Sequence, residues 1–131
     1  MTMTALLKRI WASPWTLLGL MVGGLALASG GSVRRQRGTL AFTGGAATAF
    51  LRFAPFVRGA SAMALGHVIL ARTAAELDDA YDHELVHVRQ YERWGPLFIP
   101  AYFAAALWQL LRGRHPYWDN PFEREAYREA P

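Results

Sequence analysis

The chain has no cysteine, and only one of its fourteen basic residues is a lysine. The lack of cysteine excludes disulfides, zinc knuckles and thiol nucleophiles, and it leaves the redox compartment open. There is no internal repeat and no low-complexity tract. The basic residues do not form a stripe with interleaved aromatic side chains, so no nucleic-acid partner is expected. They border apolar blocks instead, as at 34–37 and 112–114, which favours an anionic membrane surface.

The N-terminal part is dominated by an uncharged, largely apolar run of 18 residues, 14–31. A helix of that length reaches about 27 Å, enough to cross a bilayer core. Trp11 and Trp15 stand where an interfacial belt is expected. We therefore predict a single transmembrane anchor in residues 1–37, with membrane lipids as partners and the slightly more basic downstream side in the cytoplasm. The alternative is a secreted protein whose signal peptide is cleaved at the small residues 26–28.

The remaining residues, 38–131, are predicted to form one small α+β domain with a short antiparallel sheet. Strand-like runs lie at 39–43, 48–53 and 63–71. Pro55 and Gly59 mark breaks between these runs. The apolar segment 66–71 is a candidate edge strand that would bind a peptide by strand addition. His67, alone among apolar residues, is interpreted as a partly buried strand residue with a hydrogen bond rather than as a metal ligand.

A His-Glu-Leu-Val-His segment at residues 83–87 is the most informative motif of the chain. It lies in a predicted helix that starts with a capping box at 73–76 and ends before a Gly-Pro pair. Histidines at i and i+4 project from one helix face, so His83 and His87 can bind one metal ion. Glu84 lies close enough to that face to act as general base on a metal-bound water. The motif therefore predicts Zn²⁺ as cofactor of a hydrolase.

A catalytic zinc site needs a third protein ligand, and the candidates lie near the C-terminus. Asn120 is predicted to cap a helix that carries Glu123 and Glu125, of which Glu125 is more consistent with a solvated carboxylate. His115 and Asp119 precede this helix in a loop. His115 is interpreted as a surface residue, with a ligand or oxyanion-stabilising role as the alternative.

The segment between the two motif helices is apolar but short. Residues 97–111 contain a glutamine and are predicted to form a buried or interfacial helix. Four nearby aromatic residues would either line a substrate groove, sit at headgroup level or pack in the core: Trp94, Trp108, Tyr117 and Trp118.

The motif helix with its Gln90, followed by a helix with Glu123 and Ala126, resembles the gluzincin metallopeptidases. The resemblance is to the membrane-linked CAAX prenyl protease and HtpX-like branch, where the third ligand is the glutamate of an E-x-x-A-D pattern. Tyr127 stands where that pattern has aspartate. Residues 82–127 are also similar to a family of small bacterial proteins that share the HExxHVRQYERWGP core and an NPFEREA ending. The resemblance implies a minimal gluzincin fold, Glu123 as third ligand and a place in the bacterial inner membrane.

These features predict a membrane-associated zinc metallopeptidase acting on a peptide or protein. His83, His87 and Glu123 would hold the ion, while Glu84 takes the proton of the zinc-bound water and delivers it to the leaving amine. The alternative is a non-catalytic zinc-binding membrane protein with a structural or sensing site, which a closing fourth ligand such as His115 would distinguish. A di-iron carboxylate protein would need a second E-x-x-H segment, and the sequence has none.

Overall fold

The computed structural model describes residues 2–54 and 60–130, and the breaks predicted at Pro55 and Gly59 lie outside them. Five helices and four strands make an α+β fold, as expected. In chain order the elements are α1 (Met3–Ala28), β1 (Ser32–Gln36), β2 (Thr39–Thr43), α2 (Gly45–Phe53), β3 (Ala62–Leu65), β4 (Val68–Ala71), α3 (Ala74–Trp94), a 3₁₀ turn (Gly95–Leu97), α4 (Phe98–Leu111) and α5 (Pro121–Glu129).

The sheet is mixed rather than antiparallel, with the strand order β1-β2-β4-β3. β1 pairs with β2 and β3 pairs with β4 in antiparallel fashion, while β2 and β4 run parallel. The predicted strand at 63–71 is in fact two strands, because Gly66 adopts a φ of +61° and turns the chain at His67. The candidate edge strand at 66–71 was also wrong, since β4 lies between β2 and β3. The edge on that side is β3.

The run 48–53 is helical, contrary to its strand prediction. Ala47 and Leu51, four residues apart, are both fully buried, so the burial follows the helical period rather than the strand period. Gly44 and Gly45 both have positive φ and turn the chain from β2 into this helix. Short apolar runs carry little information on period, and the two buried positions decide the outcome here.

The α1 helix packs against the sheet through small residues. A Cβ on Gly19 would lie 2.7 Å from Cβ of Val68, and one on Gly23 would lie 2.5 Å from the Phe42 ring. The larger side chains point outward, with Leu17, Met21 and Leu25 60%, 67% and 63% exposed. One face of this apolar helix is therefore part of the protein core, and the other is free to meet lipid.

The sheet also crosses the expected boundary between an anchor and a domain. The division after residue 37 falls in the turn between β1 and β2, which are paired along their whole length. Arg34 and Arg37 of the basic cluster form ion pairs with Asp78 and Asp82 of α3, at 2.6 and 3.5 Å. This cluster therefore contacts the fold itself, in addition to bordering the apolar run.

Two layers of buried side chains hold the sheet between helices. On one side, Ala41, Ala64 and Ile69 pack with Leu77, Tyr81, Leu85 and Val88 of α3. On the other, Phe42, Val68 and Leu70 pack with Ala26 of α1 and with Ala47 and Leu51 of α2. The alternation of these sheet residues between the two faces is the strand period. As a result α3, which carries the motif, is fixed on a buried face of the sheet.

The motif helix starts and ends where its sequence signals predict. The Thr73 side chain accepts a hydrogen bond from the backbone N–H of Glu76, at 3.1 Å. The Glu76 carboxylate pairs with Arg72. Gly95, with a φ of +58°, ends the helix, and a Cβ there would overlap the Trp11 ring of α1.

Within the described residues, two helical stretches are long and apolar enough to cross a bilayer, Met3–Ala28 and Ala74–Leu111. A signal sequence or a buried core helix also meets these criteria of length and composition. The apolar part of the second stretch is α4. Among the described residues of α4 only Phe98 and Gln109 are buried. Its exposed side chains include Phe103, Leu107, Leu110 and Leu111. Of the two forms predicted for 97–111, the buried helix is therefore wrong, and the interfacial helix stays a prediction.

Candidate metal centre

The motif residues of α3 converge beside strand β3, where the backbone N–H of Ala64 donates to Glu84. The ligand atoms of His83, Glu84 and His87 all lie within 4.8 Å of one another. Glu84 and His87 are buried, and the His83 side chain is 12% exposed. Two Nε2 atoms, one from each histidine, are 3.3 Å apart. The i,i+4 spacing thus produces the convergence that the sequence predicted.

Helix α5 adds a carboxylate to the two histidines. Oε1 of Glu123 lies 3.0 Å from Nε2 of His83 and 3.0 Å from Nε2 of His87. A tetrahedral zinc ion with bonds of about 2.0–2.1 Å keeps its ligand atoms about 3.3 Å apart. The three atoms therefore form a triangle of nearly the size that such an ion requires. Two nitrogens and one carboxylate oxygen also fit zinc in donor type.

Gln90 fixes the orientation of His87. Its Oε1 accepts a hydrogen bond from Nδ1 of His87 at 2.7 Å. Its Nε2 donates to the carbonyl of Phe122 and to Oε1 of Glu125, at 3.0 and 2.8 Å. Because both amide protons are used, Oε1 must face the histidine and accept the Nδ1 proton, which directs Nε2 toward Glu123 and the cluster. Gln90 is fully buried and ties α3 to α5.

The second oxygen of Glu123 is held by α4. The Tyr102 hydroxyl donates to Oε2 of Glu123 at 2.7 Å, which leaves Oε1 directed at the histidines. Asn120 caps α5 by accepting from the N–H of Phe122, and its Nδ2 donates to the carbonyl of Tyr102. The cap that positions Glu123 is thus itself attached to the residue that orients the carboxylate.

His83 is supported differently from His87. Its Nδ1 is buried and has no hydrogen-bond partner among the residues that the structure describes. The Tyr127 ring packs against the imidazole with centroids 4.4 Å apart, and its hydroxyl is engaged with that of Tyr117 at 2.8 Å. Tyr127, which replaces an aspartate of the resembled pattern, therefore gives His83 a packing contact but no hydrogen-bond acceptor.

The two buried carboxylates have opposite electrostatic surroundings. Burial raises the pKa of Glu84, against the opposing effects of His87 and His83 and of the backbone N–H of Ala64, which donates to the carboxylate. Burial alone would also raise the pKa of Glu123, but hydrogen bonds from His83 and His87 outweigh it and lower that pKa to about 2. Glu123 is thus held as an anion, as a ligand must be, whereas Glu84 is the carboxylate with the greater proton affinity.

A cleft of about 560 Å³ opens onto this cluster. Ala60 and the β3 residues Ala62 and Met63 line one wall of the cleft. His83, Glu84 and His87 of α3 line its floor. Helix α4 and the segment that leads into α5 form the opposite wall, with Phe98, Ile99, Tyr102, Phe103, Tyr117 and Trp118. Among the described residues that line the cleft, the only acidic side chains are Glu84 and Glu123, and there is no lysine or arginine. Tyr117 and Trp118 thus take the groove position predicted as one of their alternatives.

The other candidate residues are placed outside the cluster. Glu125 binds Gln90 and Arg93 rather than remaining solvated. Nδ1 of the exposed His115 accepts from the N–H groups of Tyr117 and Trp118, while its own N–H binds the Asp119 carboxylate.

His67 is buried and hydrogen-bonds to Glu92 at 2.9 Å, in agreement with its interpretation as a hydrogen-bonded residue, but it lies in the β3–β4 turn rather than in a strand. Tyr102 is the site residue that the sequence did not single out. Its aromatic side chain in an apolar run gave no sign of its partner.

The chain matches no model of a known protein family, no curated protein sequence and no solved structure.

Proposed function

We propose that this chain is a membrane-associated zinc-dependent metallopeptidase. The observation that carries the proposal is the triangle of ligand atoms, 3.0, 3.0 and 3.3 Å on its sides, contributed by His83, His87 and Glu123 at the floor of an open cleft. A structural zinc site would use four protein ligands and close the ion off from substrate. Here the fourth coordination position would face the cleft. The His115 side chain is held in a turn by hydrogen bonds and does not reach the cluster.

The chemistry follows from the groups beside the triangle. Zinc, when bound, acts as a Lewis acid that lowers the pKa of water to about 7 and polarises a carbonyl group. Glu84 has the position and the raised proton affinity of a general base, and it would carry the proton to the leaving amine.

The edge strand β3 would hold a substrate peptide. The carbonyl of Ser61 accepts a hydrogen bond from the backbone N–H of Arg72. The backbone N–H and C=O groups of the odd-numbered residues of β3 therefore point toward β4. Ala62 and Ala64 then point their backbone groups away from the sheet. Those of Ala64 bind Glu84 and the Tyr91 hydroxyl. Those of Ala62 border the cleft, where an extended peptide can pair with them by strand addition.

The test uses the full chain, purified without an affinity tag that binds metal, and compares it with Glu84→Gln. Elemental analysis is expected to find about one zinc per chain in both, and peptide-bond cleavage of an unfolded protein substrate is expected only in the native chain. Removal of a general base reduces the rate about 10²- to 10⁴-fold. Equal cleavage by both proteins would refute the assignment of Glu84.

The non-catalytic alternative predicts a different set of results. Zinc would be present in both proteins, no cleavage would be detected in either, and Glu123→Gln would lower the melting temperature without any change in activity. A chain that contains no zinc after a zinc-replete preparation would refute both proposals together.

A further inference from the structure

A basic cavity of about 330 Å³ lies between the first turns of α1, the β1–β2 turn and α3. Four cationic side chains line it: Lys8 and Arg9 from α1, Arg37 from the turn and Arg89 from α3. None of the residues of the metal centre contributes to its walls. The cavity is therefore a second site, independent of the proposed peptidase function.

The positive charge of this cavity is largely uncompensated. Its one acidic lining residue, Glu92, pairs with His67. Arg37 has Asp82 as a partner at 3.5 Å, with both side chains more than half exposed, so this pair neutralises little. Lys8, Arg9 and Arg89 form no ion pair within the described ranges 2–54 and 60–130.

A buried histidine in the wall also has unused hydrogen-bonding capacity. His67 lines the cavity, is 8% exposed and uses Nε2 to bind Glu92. Its Nδ1 is buried with no hydrogen-bond partner in the described part of the chain. Three cations around one cavity that form no ion pair in the described ranges are the surroundings in which an oxyanion such as a phosphate is bound.

An apolar groove of about 470 Å³ continues from the basic cavity along α1, and the two share Thr4, Lys8 and Glu92. The remaining walls of the groove are mostly apolar: Leu7, Ile10, Trp11, Pro14 and Pro96. The same part of α1 exposes Leu6, Leu7 and Ile10 at 44%, 57% and 59%. A cationic cavity and an apolar groove thus adjoin at the end of a helix that is apolar enough to enter a membrane.

We propose that the cavity and the groove together bind one anionic phospholipid. Its phosphate lies among Lys8, Arg9, Arg37 and Arg89, and an acyl chain lies in the groove beside Trp11. A free phosphate would satisfy the cations but leave the groove empty. A zwitterionic lipid would bring its own positive charge into a cavity that already carries an excess of it.

The experiment measures lipid binding to the full chain in neutral detergent by native mass spectrometry. Short-chain phosphatidylglycerol is titrated against short-chain phosphatidylcholine, with glycerol phosphate as a competitor that has the headgroup charge but no chains. The variant is Arg9→Gln with Arg89→Gln. Its matched control is Arg35→Gln with Arg124→Gln, which removes the same charge from exposed positions outside the cavity.

The native chain and the control are expected to bind one phosphatidylglycerol in preference to phosphatidylcholine, and glycerol phosphate is expected to displace it poorly. The variant is expected to bind about thirtyfold more weakly, since each basic residue near an anionic lipid surface contributes about 1 kcal/mol. Equal binding of the two lipids, an equal loss in the control, or efficient displacement by glycerol phosphate would each overturn the proposal. Because no result depends on zinc or cleavage, failure here leaves the peptidase proposal untouched.

Discussion

Replacement of Gln90 by alanine tests whether the centre depends on the hydrogen bonds behind its ligands. The Gln90 side chain makes three such bonds, at 2.7 Å to His87, 3.0 Å to Phe122 and 2.8 Å to Glu125. Gln90→Ala removes all three and leaves Nδ1 of His87 without an acceptor in a buried position. The imidazole is then free to carry its proton on Nε2, where a proton blocks the lone pair that a metal needs.

The magnitude follows from the group left without a partner and from the bonds lost. The Nδ1–H of His87 loses its acceptor in a buried position, which costs about 1–3 kcal/mol, and loss of the bonds to Phe122 and Glu125 costs about 0.5–1.5 kcal/mol each. The unfolding free energy of the metal-free chain is therefore expected to fall by about 2–6 kcal/mol. Loss of the hydrogen bond behind one histidine is expected to weaken zinc binding about 10- to 100-fold.

Zinc affinity is measured by competition with a chromophoric chelator, and stability by thermal unfolding after chelation. The matched control is Gln109→Ala, which truncates another buried glutamine, at the end of α4 and away from the cluster. That control is expected to keep native zinc affinity. If Gln90→Ala also binds zinc with native affinity, the idea that Gln90 sets the state of His87 is wrong.

Three further outcomes are expected. Tyr127→Asp should tighten zinc binding about tenfold because it gives Nδ1 of His83 a hydrogen-bond acceptor. Tyr127→Phe should leave the zinc affinity measured with the chelator unchanged. Weaker zinc binding by Tyr127→Asp would contradict this reasoning. Gly23→Leu should lower the unfolding free energy by about 1–3 kcal/mol because its side chain would overlap the Phe42 ring. Gly24→Leu should leave the unfolding free energy unchanged, because a Cβ at Gly24 meets no atom within 4 Å. An equal loss of stability in the two variants would refute the packing argument. Deletion of α1 should yield an insoluble chain, and a soluble, folded product would show that α1 is dispensable.

The parts of the fold that the sequence could predict are those specified by nearby residues. Helix α3 has its cap, its apolar face and its terminating glycine within its own sequence, so its limits were predicted closely. The i,i+4 spacing of His83 and His87 is equally local. The error at 48–53 arose because a run of six residues with four apolar side chains fits either period, and contacts with the sheet made the choice.

The surroundings of the metal centre depend on contacts between distant segments, and no local pattern contains them. Gln90 lies three residues after His87 and therefore on the same face of the helix, so its partnership with that histidine had a detectable signal. Tyr102 had none, because its role requires α4 to cross near α5. Glu123 was chosen by resemblance, and its 3.0 Å approach to both histidines agrees with that choice, while its role as a metal ligand stays a prediction.

The packing of α1 favours a retained helix over a cleaved signal peptide on energetic grounds. Gly19 and Gly23 bring the helix backbone against Phe42, Leu65 and Val68, which are at most 4% exposed. Burial of three such side chains, which α1 shares with α2, contributes about 5–9 kcal/mol, and the whole stability of a domain is about 5–15 kcal/mol. Cleavage after the helix would therefore be expected to remove part of what keeps the sheet folded. The small residues that first suggested a cleavage site serve as the contact surface, since Ala26 is fully buried. Consequently the apolar helix α1 and the sheet that supports the candidate metal centre should fold as one unit.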